Sequence, residues 1–262
     1  NLVGFHGVTL YHNAKDKFTF QIGNIDKIYK ELKISLVYNF RQNDLDHDGQ
    51  GAPLTPIFHQ FILNQLKNKQ TYFDGVVNIG GISNISYFQN KKLYATDIGP
   101  GNCLIDSWCK EYFKVDFDQD GLLSASSKPD LITANNFIDR FTFNKNISYD
   151  FNDFSISEFR NLEKDMGLAT LSFITANLII SFLNEKKLNK VLVSGGGRKN
   201  KSIMNYLGDR AVNIDEVDFN GDFTESQAFA YLAARSQNNL PLTFPETTGV
   251  EKPVTGGVIK KV

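Results

Sequence analysis

The sequence predicts a mixed α/β fold, and two observations along the chain carry this prediction. Three strand signals follow one another closely, at Val76–Ile79, Ile82–Phe88 and Lys91–Ile98. A helix, an aromatic insertion near 114–160 and then alternating helices and strands continue as far as Arg235. Meandering strands followed by strand–helix alternation predict a single sheet with helices packed against it.

The other elements are predicted from hydrophobic periodicity and from glycine and proline breaks. The first stretch is divided into strands and helices at Leu2–His12, Phe18–Ile22, Ile25–Glu31, Ile34–Asn39 and Pro53–Leu66. The later elements are a helix at Cys103–Phe113, a long helix at Glu163–Leu183, strands at Lys190–Ser194 and Ala211–Glu216, and helices at Ser202–Leu207 and Glu225–Arg235. We therefore predict a first lobe over 1–74, a second lobe over 75–235, and a C-terminal tail over 236–262, mostly extended or looped.

Composition and charge narrow the classes of partner. The 262 residues are 41% hydrophobic and 22% charged, with a formal net charge of -1, so no basic field favours nucleic acid or anionic lipid. The apolar stretch Met166–Leu183 is interrupted by Ser, Thr and Asn, which indicates a buried helix rather than a membrane span. The two cysteines have no zinc-ligand spacing with histidine and suggest a reducing cytosol. We expect a cytoplasmic protein with a small-molecule ligand and no protein-held metal site.

The strongest local signal is Asp97-Ile98-Gly99-Pro100-Gly101-Asn102, where a predicted strand ends and a helix begins. Glycines allow the backbone to approach a ligand closely, and free N–H groups at a helix start can bind an anion. A carboxylate at the strand end, Asp97, can act as a general base or order Mg²⁺ and water. A turn capped by an Asp side chain explains the same residues without a ligand.

Two further glycine segments have the same character. Gly195, Gly196 and Gly197 follow a buried strand and precede Asn200 and a helix, which favours a loop in close contact with a nucleotide. Gly80 and Gly81 form the tip of a predicted hairpin that faces a phosphate. Tight connections between elements remain the structural alternative for both segments.

Three shorter patterns complete the candidate site. Gln50 and Gly51 lie in a loop that leads into a helix with proline near its start. His6 lies near a strand end, where a single histidine is more often structural than catalytic. Glu225 lies in the first turn of a helix, where a carboxylate is most often a favourable dipole partner.

Taken together and in this order, the motifs resemble the anhydro-N-acetylmuramic acid kinase family over the whole chain. The matching stretches are His6-Gly7-x-Thr9, Gln21-Ile22-Gly23, Phe40-Arg41, Gly49-Gln50-Gly51-Ala52-Pro53-Leu54, Asn78-Ile79-Gly80-Gly81-Ile82-Ser83-Asn84, Asp97-x-Gly99-Pro100-Gly101-Asn102, Gly195-Gly196-Gly197-x-x-Asn200, Glu225-x-x-Ala228-Phe229-Ala230 and Thr247-Thr248-Gly249-Val250.

The resemblance implies a two-lobed actin-like ATPase fold with ribonuclease-H-like lobes, in which ATP and sugar meet in the cleft. It implies that water, helped by the catalytic Asp97, opens the 1,6-anhydro bridge while ATP and Mg²⁺ supply the phosphoryl group. The product would be N-acetylmuramic acid 6-phosphate. ATP is expected at Gly80, Gly81, Gly99, Gly101, Asn102, Gly195, Gly196, Gly197 and Asn200, and sugar at His6, Gln50, Gly51 and Glu225. The resemblance also suggests a homodimer.

The sequence departs from the family pattern at several positions. The family's initial Gly-Thr-Ser-x-Asp-Gly phosphate hairpin is not found before Asn1, so we expect an incomplete first lobe and a fragment that does not phosphorylate the sugar by itself. Val8, Asn39, Ile147 and Phe151 replace a Gln, an Asp and two basic residues of the pattern. An active sugar kinase, a catalytically inactive remnant that binds nucleotide, and a different actin-like sugar kinase are the three hypotheses. The combination of the Gly49–Leu54 and Asp97–Asn102 motifs argues against the third.

Overall fold

The computed structural model describes residues 1–143 and 149–262, and the chain forms two compact units. The first unit comprises residues 1–65, 88–95 and 223–262. The second comprises residues 66–87 and 96–222. The departure at Ile147 lies outside the described residues.

The first unit is built on two small sheets. Strand β1 (Leu2–Gly4) is followed by the hairpin of β2 (Val8–Asn13) and β3 (Phe18–Ile22), helix α1 (Ile25–Leu32) and strand β4 (Ser35–Tyr38). Helices α2 (Gln42–Asp46) and α3 (Pro56–Asn68) come next. In the larger sheet, β4 pairs in parallel with β1 and antiparallel with the last strand of the chain.

The second unit contains most of a sheet of five strands, of which residues 88–95 belong to the first unit. Strands β5 (Gly75–Ile79), β6 (Ile82–Gln89) and β7 (Lys92–Pro100) precede helix α4 (Cys103–Trp108), which continues as a π-helical turn over Cys109–Phe113. The predicted insertion forms short 3₁₀ turns and helix α5 (Leu131–Arg140). Helix α6 (Lys164–Lys186), strand β8 (Val191–Ser194), helix α7 (Lys201–Leu207) and strand β9 (Ala211–Asn213) complete the unit.

The order of this sheet confirms the predicted ribonuclease-H-like arrangement. The strands lie in the order β7-β6-β5-β8-β9, with β5 antiparallel to β6 and parallel to β8. The first three form a meander in which Asn90 and Lys91 connect β6 to β7. The other two are reached by helical crossovers, as parallel strands require. The fold is the mixed α/β fold of actin-like ATPases.

The core of the second unit explains why the most apolar helix is buried. Of the described helices, α6 is the one long and apolar enough to cross a bilayer, and 72% of its most apolar window is buried inside the protein. The Trp108 indole nitrogen donates a hydrogen bond to the Lys164 carbonyl at 2.8 Å. A side chain at Gly167 would overlap the Trp108 ring, so glycine lets α6 pack closely against α4.

The C-terminal residues differ from the predicted division of the chain. Helix α8 (Thr224–Gln237), helix α9 (Pro245–Thr248) and strand β10 (Val258–Lys260) belong to the first unit, whereas we predicted a second lobe up to residue 235 and a separate tail. The reason is apolar burial, because Phe229 and Leu232 of α8 join Val37 and Phe40 in one buried cluster. Strand β10 then adds to the edge of β4.

Two predicted elements have boundaries that differ from those expected. The strand predicted over Ala211–Glu216 stops at Asn213, whose side chain caps a 3₁₀ turn over Ile214–Val217. The helix predicted from Pro53 begins at Pro56. Asn and Asp side chains bond to nearby backbone N–H groups and so favour such turns over continued strands.

Candidate functional site

The glycine turns of the second unit lie at one edge of its sheet. Gly80 follows β5, the Asp97–Asn102 motif spans the end of β7, and Gly195 follows β8. These three strands run in the same direction, because β5 is parallel to β8 and the meander reverses direction twice before β7. Their carboxyl ends therefore share the edge at which open α/β sheets bind ligands.

Hydrogen bonds join the Gly80–Gly81 turn after β5 to the Asp97–Asn102 turn at the end of β7. The backbone N–H groups of Gly101 and Asn102 donate to the carbonyls of Gly81 and Gly80 at 2.9 and 2.8 Å. The Asn102 side-chain amide donates to the carbonyls of Ile79 and Gly80 at 3.2 and 3.0 Å. A side chain at Gly101 would overlap the Gly80 carbonyl oxygen. Glycine is therefore required at Gly101 by this close backbone contact.

Helix α6 also contacts the Asp97–Asn102 turn. The buried Thr175 hydroxyl donates to the Gly101 carbonyl at 2.8 Å. Gly99 has φ +151°, and a side chain there would reach within 2.9 Å of the Phe141 ring. The structure thus places Gly99 against an aromatic ring of the protein.

The glycine triplet after β8 contains two kinds of glycine. Gly195 has φ +79°, and a side chain at Gly195 or Gly197 would overlap Asn78 or Ile79. Gly196 differs, since the nearest atom to a side chain there is Asn102 Nδ2 at 3.9 Å. Gly81 is equally open, with nothing within 4 Å. Gly81 and Gly196 are therefore the two glycines of the site with free space in front of the backbone.

A cleft of about 400 Å³ opens beside Gly196. The predicted residues Asn102, Gly196 and Asn200 line it. Further lining residues, which were not predicted, are Ile105, Asp106, Lys110, Asp116, Phe117, Asp118, Gln119, Asp120 and Lys199. Asn200 also caps α7, because its side-chain oxygen accepts from Ile203 N at 3.1 Å. Lys199 lies inside the Gly195–Asn200 motif at a position that the motif leaves open, whereas the other additional residues come from α4, its π-helical continuation and the insertion, where no motif was found.

The pKa of Asp106, which lines this cleft, is shifted upward. Burial raises the pKa of its carboxyl to about 6, with Lys110 opposing the shift and Asp116 and Asp118 adding to it. Asp106 therefore takes up a proton closer to neutral pH than an exposed aspartate does.

Asp97 lies near the end of β7, next to the joined turns. Its Oδ2 accepts a hydrogen bond from the backbone N–H of Tyr149 at 2.9 Å. Burial and then the charge of Asp97 raise the pKa of the Tyr149 hydroxyl. Phe151, one of the departures from the family pattern, lies two residues after Tyr149 and is 49% exposed. Asp97 as a whole is of intermediate burial.

In the first unit, the predicted residues surround Arg41. Arg41 Nε donates to His6 Nε2 at 2.9 Å, and Arg41 Nη1 donates to the Gly51 carbonyl at 2.7 Å. The His6 ring stacks on Phe229 with ring centroids 4.4 Å apart. Burial, reinforced by the charge of Arg41, lowers the pKa of His6 to about 4. His6 is thus a neutral acceptor for Arg41.

A buried carboxylate, Asp44, fixes the loop that carries Gln50 and Gly51. Asp44 is 1% exposed, and its two oxygens accept from Gly51 N and from the Thr248 hydroxyl, each at 2.6 Å. Gln50 N donates to the Thr248 carbonyl at 2.8 Å. The Gln50 carbonyl also bonds His12 Nε2 at 2.9 Å, and the Gln50 side chain is exposed.

Glu225 is exposed in the first turn of α8, as predicted for a dipole partner. Burial lowers the pKa of Arg41 to about 10, while the charges of Glu225 and Asp44 act against that shift. Arg41 and Thr248 lie inside family motifs, but no role was predicted for either of them, and Asp44 was not predicted as a site residue. Asn39, another departure from the family pattern, has φ +54°, a conformation that Asn and Asp tolerate better than other side chains.

The described residues contain no cluster of three or more His, Cys, Asp or Glu side chains that could hold a metal ion. Magnesium differs from zinc in this respect, because it commonly binds one or two carboxylates together with substrate phosphates and water. Asp97, a carboxylate of intermediate burial near the end of β7, is a residue of the type that such a site uses.

The sheet order, with glycine turns at its carboxyl edge, is that of the actin-like ATPase fold. The chain belongs to the anhydro-N-acetylmuramic acid kinase family, whose sequence model matches residues 1–261. The family named by the sequence motifs is therefore confirmed.

Relatives with this name include the protein of Pelagibacter ubique (strain HTCC1062), which is 41% identical over 100% of this chain and 74% of its own length. The protein of Agrobacterium fabrum is 39% identical over 99% of this chain and 73% of its own length.

Solved structures show lower similarity. The activator of the 2-hydroxyisocaproyl-CoA dehydratase from Clostridium difficile is 16% identical, with a TM-score of 0.39 over 64% of this chain and 63% of its own. Xylulose kinase from Rhodospirillum rubrum is 14% identical, with a TM-score of 0.39 over 74% of this chain and 44% of its own.

Proposed function

We propose that this protein is an ATP-dependent kinase that opens 1,6-anhydro-N-acetylmuramic acid and phosphorylates it to N-acetylmuramic acid 6-phosphate, in the recycling of murein. The observation that carries the proposal is the position of Asp97 near the end of β7, directly before the glycine turn that is hydrogen-bonded to Gly80 and Gly81, in a chain that the family model matches over residues 1–261. A cytoplasmic location, where ATP is available, belongs to the same proposal.

In this function the second unit binds ATP. Gly81 and Gly196 leave space in front of the backbone, which lets phosphates approach closely. The cleft lined by Gly196, Asn102 and Asn200 has the volume of a small-molecule site. Gly99, Gly195 and Gly197 contribute indirectly, because their close packing shapes the turns that carry the open glycines.

Asp97 is the general base of the proposed reaction. It takes a proton from water while the water oxygen forms a bond to the anomeric carbon. The bond from that carbon to the bridging oxygen breaks, and the bridging oxygen takes the γ-phosphoryl group as the bond to ADP breaks. Asp97 would also help to hold Mg²⁺, whose charge offsets that of the phosphates when it is bound.

The first unit supplies sugar-binding groups. Gln50 and Glu225 have exposed side chains that can form hydrogen bonds with hydroxyl and amide groups. His6 contributes indirectly by positioning Arg41, because its Nε2 atom accepts the hydrogen bond from Arg41 Nε. Gly51 contributes through its carbonyl, which accepts from the same guanidinium.

An isotope experiment tests the proposal. The protein expressed from its gene is incubated with ATP, Mg²⁺ and 1,6-anhydro-N-acetylmuramic acid in ¹⁸O-labelled water, and ADP release is followed by a coupled assay. We expect sugar-dependent ADP release, with one ¹⁸O in the sugar product and none in its phosphate group. N-acetylmuramic acid, which lacks the anhydro bridge, is the control substrate.

Two outcomes would contradict the proposal. Labelled inorganic phosphate without a sugar phosphate would indicate an ATPase. Nucleotide binding without any sugar-dependent ADP release would favour the catalytically inactive member of the family.

A further inference from the structure

Arg198 follows the glycine triplet directly, and its side chain is 3% exposed. Its guanidinium uses three donors within the second unit. Nε donates to Asp215 Oδ2 at 2.9 Å, Nη2 donates to Asp222 Oδ1 at 2.7 Å, and Nη1 donates to the Gly195 carbonyl at 3.0 Å. The guanidinium therefore joins the start of the glycine triplet to two carboxylates that come later in the chain.

The geometry of this group is fixed by its partners. An arginine this deeply buried is stable only when its donors are paired, and its planar fork allows few orientations. Hydrogen bonds from Lys199 and Arg198 hold the pKa of Asp222 at about 2, so Asp222 stays ionised throughout the neutral range. The backbone N–H of Arg198 also donates to the Gly195 carbonyl at 3.4 Å. Residue 198 thus holds this carbonyl with both its backbone and its side chain.

Gly221 completes the arrangement. A side chain at Gly221 would overlap the Arg198 guanidinium, so only glycine leaves room for it. The backbone N–H of Gly221 donates to Asp215 Oδ1 at 2.6 Å, while the other Asp215 oxygen accepts from Arg198. Gly221 and Asp215 therefore both contact the guanidinium, one by leaving space for it and the other by accepting its hydrogen bond.

We propose that Arg198, held by Asp215 and Asp222, is the positioning residue of the glycine triplet and sets its affinity for nucleotide. Gly195 has φ +79° and is followed by the open glycine Gly196, so the orientation of the Gly195 carbonyl determines where Gly196 lies. This inference rests on the proposed function for the identity of the nucleotide. Arg198 acts through the loop and makes no step of the reaction itself.

The test is calorimetric titration of the protein with Mg²⁺ and ADP in the absence of sugar. The first variant is Arg198→Lys, which keeps the charge and loses the fork. The second is Asp222→Asn at a side chain that is 57% exposed; it keeps an acceptor oxygen but removes the negative charge that faces Arg198 and Lys199. The matched control is Arg210→Lys. Arg210 donates to the carbonyls of Leu188 and Asn189 before β8, at the opposite end of that strand from the glycine triplet.

We expect Arg198→Lys to weaken ADP binding about tenfold or more, because lysine lacks the fork that holds the Gly195 carbonyl. Asp222→Asn should weaken ADP binding by less, because it only replaces one charge-assisted hydrogen bond with a weaker neutral one. Arg210→Lys should bind ADP as tightly as the wild type, even though it also loses an arginine fork. The affinity for the sugar, titrated separately, should stay unchanged in all three variants.

Wild-type ADP affinity in Arg198→Lys would overturn the inference. So would an equal loss of ADP affinity in Arg210→Lys, which would indicate general loosening of the sheet. If Arg198→Lys does not fold, Asp222→Asn decides between these results. Because the titration contains no sugar, failure of the proposed sugar kinase reaction leaves its outcome readable.

Discussion

Arg41 Nε donates a hydrogen bond to His6 Nε2 at 2.9 Å, which fixes the tautomer of the imidazole. With Nε2 accepting, the proton lies on Nδ1, which is 2.8 Å from the Gly7 carbonyl. Protonation of His6 would place a second donor against the Arg41 donor, next to a positive charge. The contact therefore depends on a neutral histidine.

This contact predicts a pH dependence of stability. The pKa of His6 is about 4 in the folded protein, against an ordinary value of 6.5. Between these values the unfolded chain binds more protons, so the contribution of His6 to stability falls as the pH is lowered from about 6.5 towards 4. Urea unfolding of the wild type and of His6→Gln, which keeps an acceptor, should show the largest difference above pH 6.5. His59, whose pKa burial also lowers to about 4, is common to both proteins and cancels in that difference. A difference that does not change with pH would contradict the prediction.

Replacement of the proposed general base should separate binding from turnover. We expect Asp97→Asn to retain ATP binding and to lose about a hundredfold to ten-thousandfold in turnover number, because a positioned base contributes that much. The amide still offers an oxygen to Tyr149 N, so the local fold should persist. Asp209→Asn, at an exposed position of the same unit, is the control. Turnover within tenfold of the wild type would exclude Asp97 as the base.

Two adjacent glycines should respond differently to a side chain. We expect Gly196→Val to fold normally and to bind ATP more weakly, because the space it fills contains no protein atom within 3.9 Å. Gly197→Ala should instead reduce the free energy of unfolding by about 1–3 kcal/mol, because its methyl group would overlap Ile79. Thermal unfolding and ATP titration of both variants measure the two effects. Unchanged ATP affinity in folded Gly196→Val would remove this residue from the nucleotide site.

The buried carboxylate of Asp44 should control both stability and sugar binding. Asp44→Ala leaves Gly51 N and the Thr248 hydroxyl without their acceptor, which should cost about 1–3 kcal/mol in the free energy of unfolding. Affinity for the sugar should fall with it, because the Gln50–Gly51 loop loses its anchor. Asp46→Ala, an exposed neighbour on α2, should have a much smaller effect on urea unfolding. Equal stability of the two variants would argue against this role of Asp44.

The proposed homodimer stays a prediction, and the hairpin of β2 and β3 is a suitable place to begin testing it by mutation. Its Val8, Phe18, Phe20 and Ile22 side chains are 50–68% exposed, whereas Thr19 is buried. This alternation reverses the usual apolar-inward pattern of a sheet. Light scattering of Val8→Ser and wild-type protein would show whether Val8 contributes to association.

Much of the fold could be predicted from local patterns. Strand β4, helix α6 and the order of β5, β6 and β7 were predicted within a few residues, because their periodicity and glycine breaks act over short distances. Asp97 and the glycine segments were identified in the same way, because each spans only a few consecutive residues. Their roles remain predictions.

Contacts between distant parts of the chain decided the rest. The sequence by itself determined the order of elements, the family and the positions of the glycine turns. Only the tertiary structure separated the open Gly196 from the packed Gly197, since that difference depends on Ile79 of another strand. Only the tertiary structure joined Asp44 to Thr248 across 204 residues and placed α8 in the first unit. Burial and hydrogen-bond partners are set by side chains far away in sequence, and no local pattern encodes which of them meet.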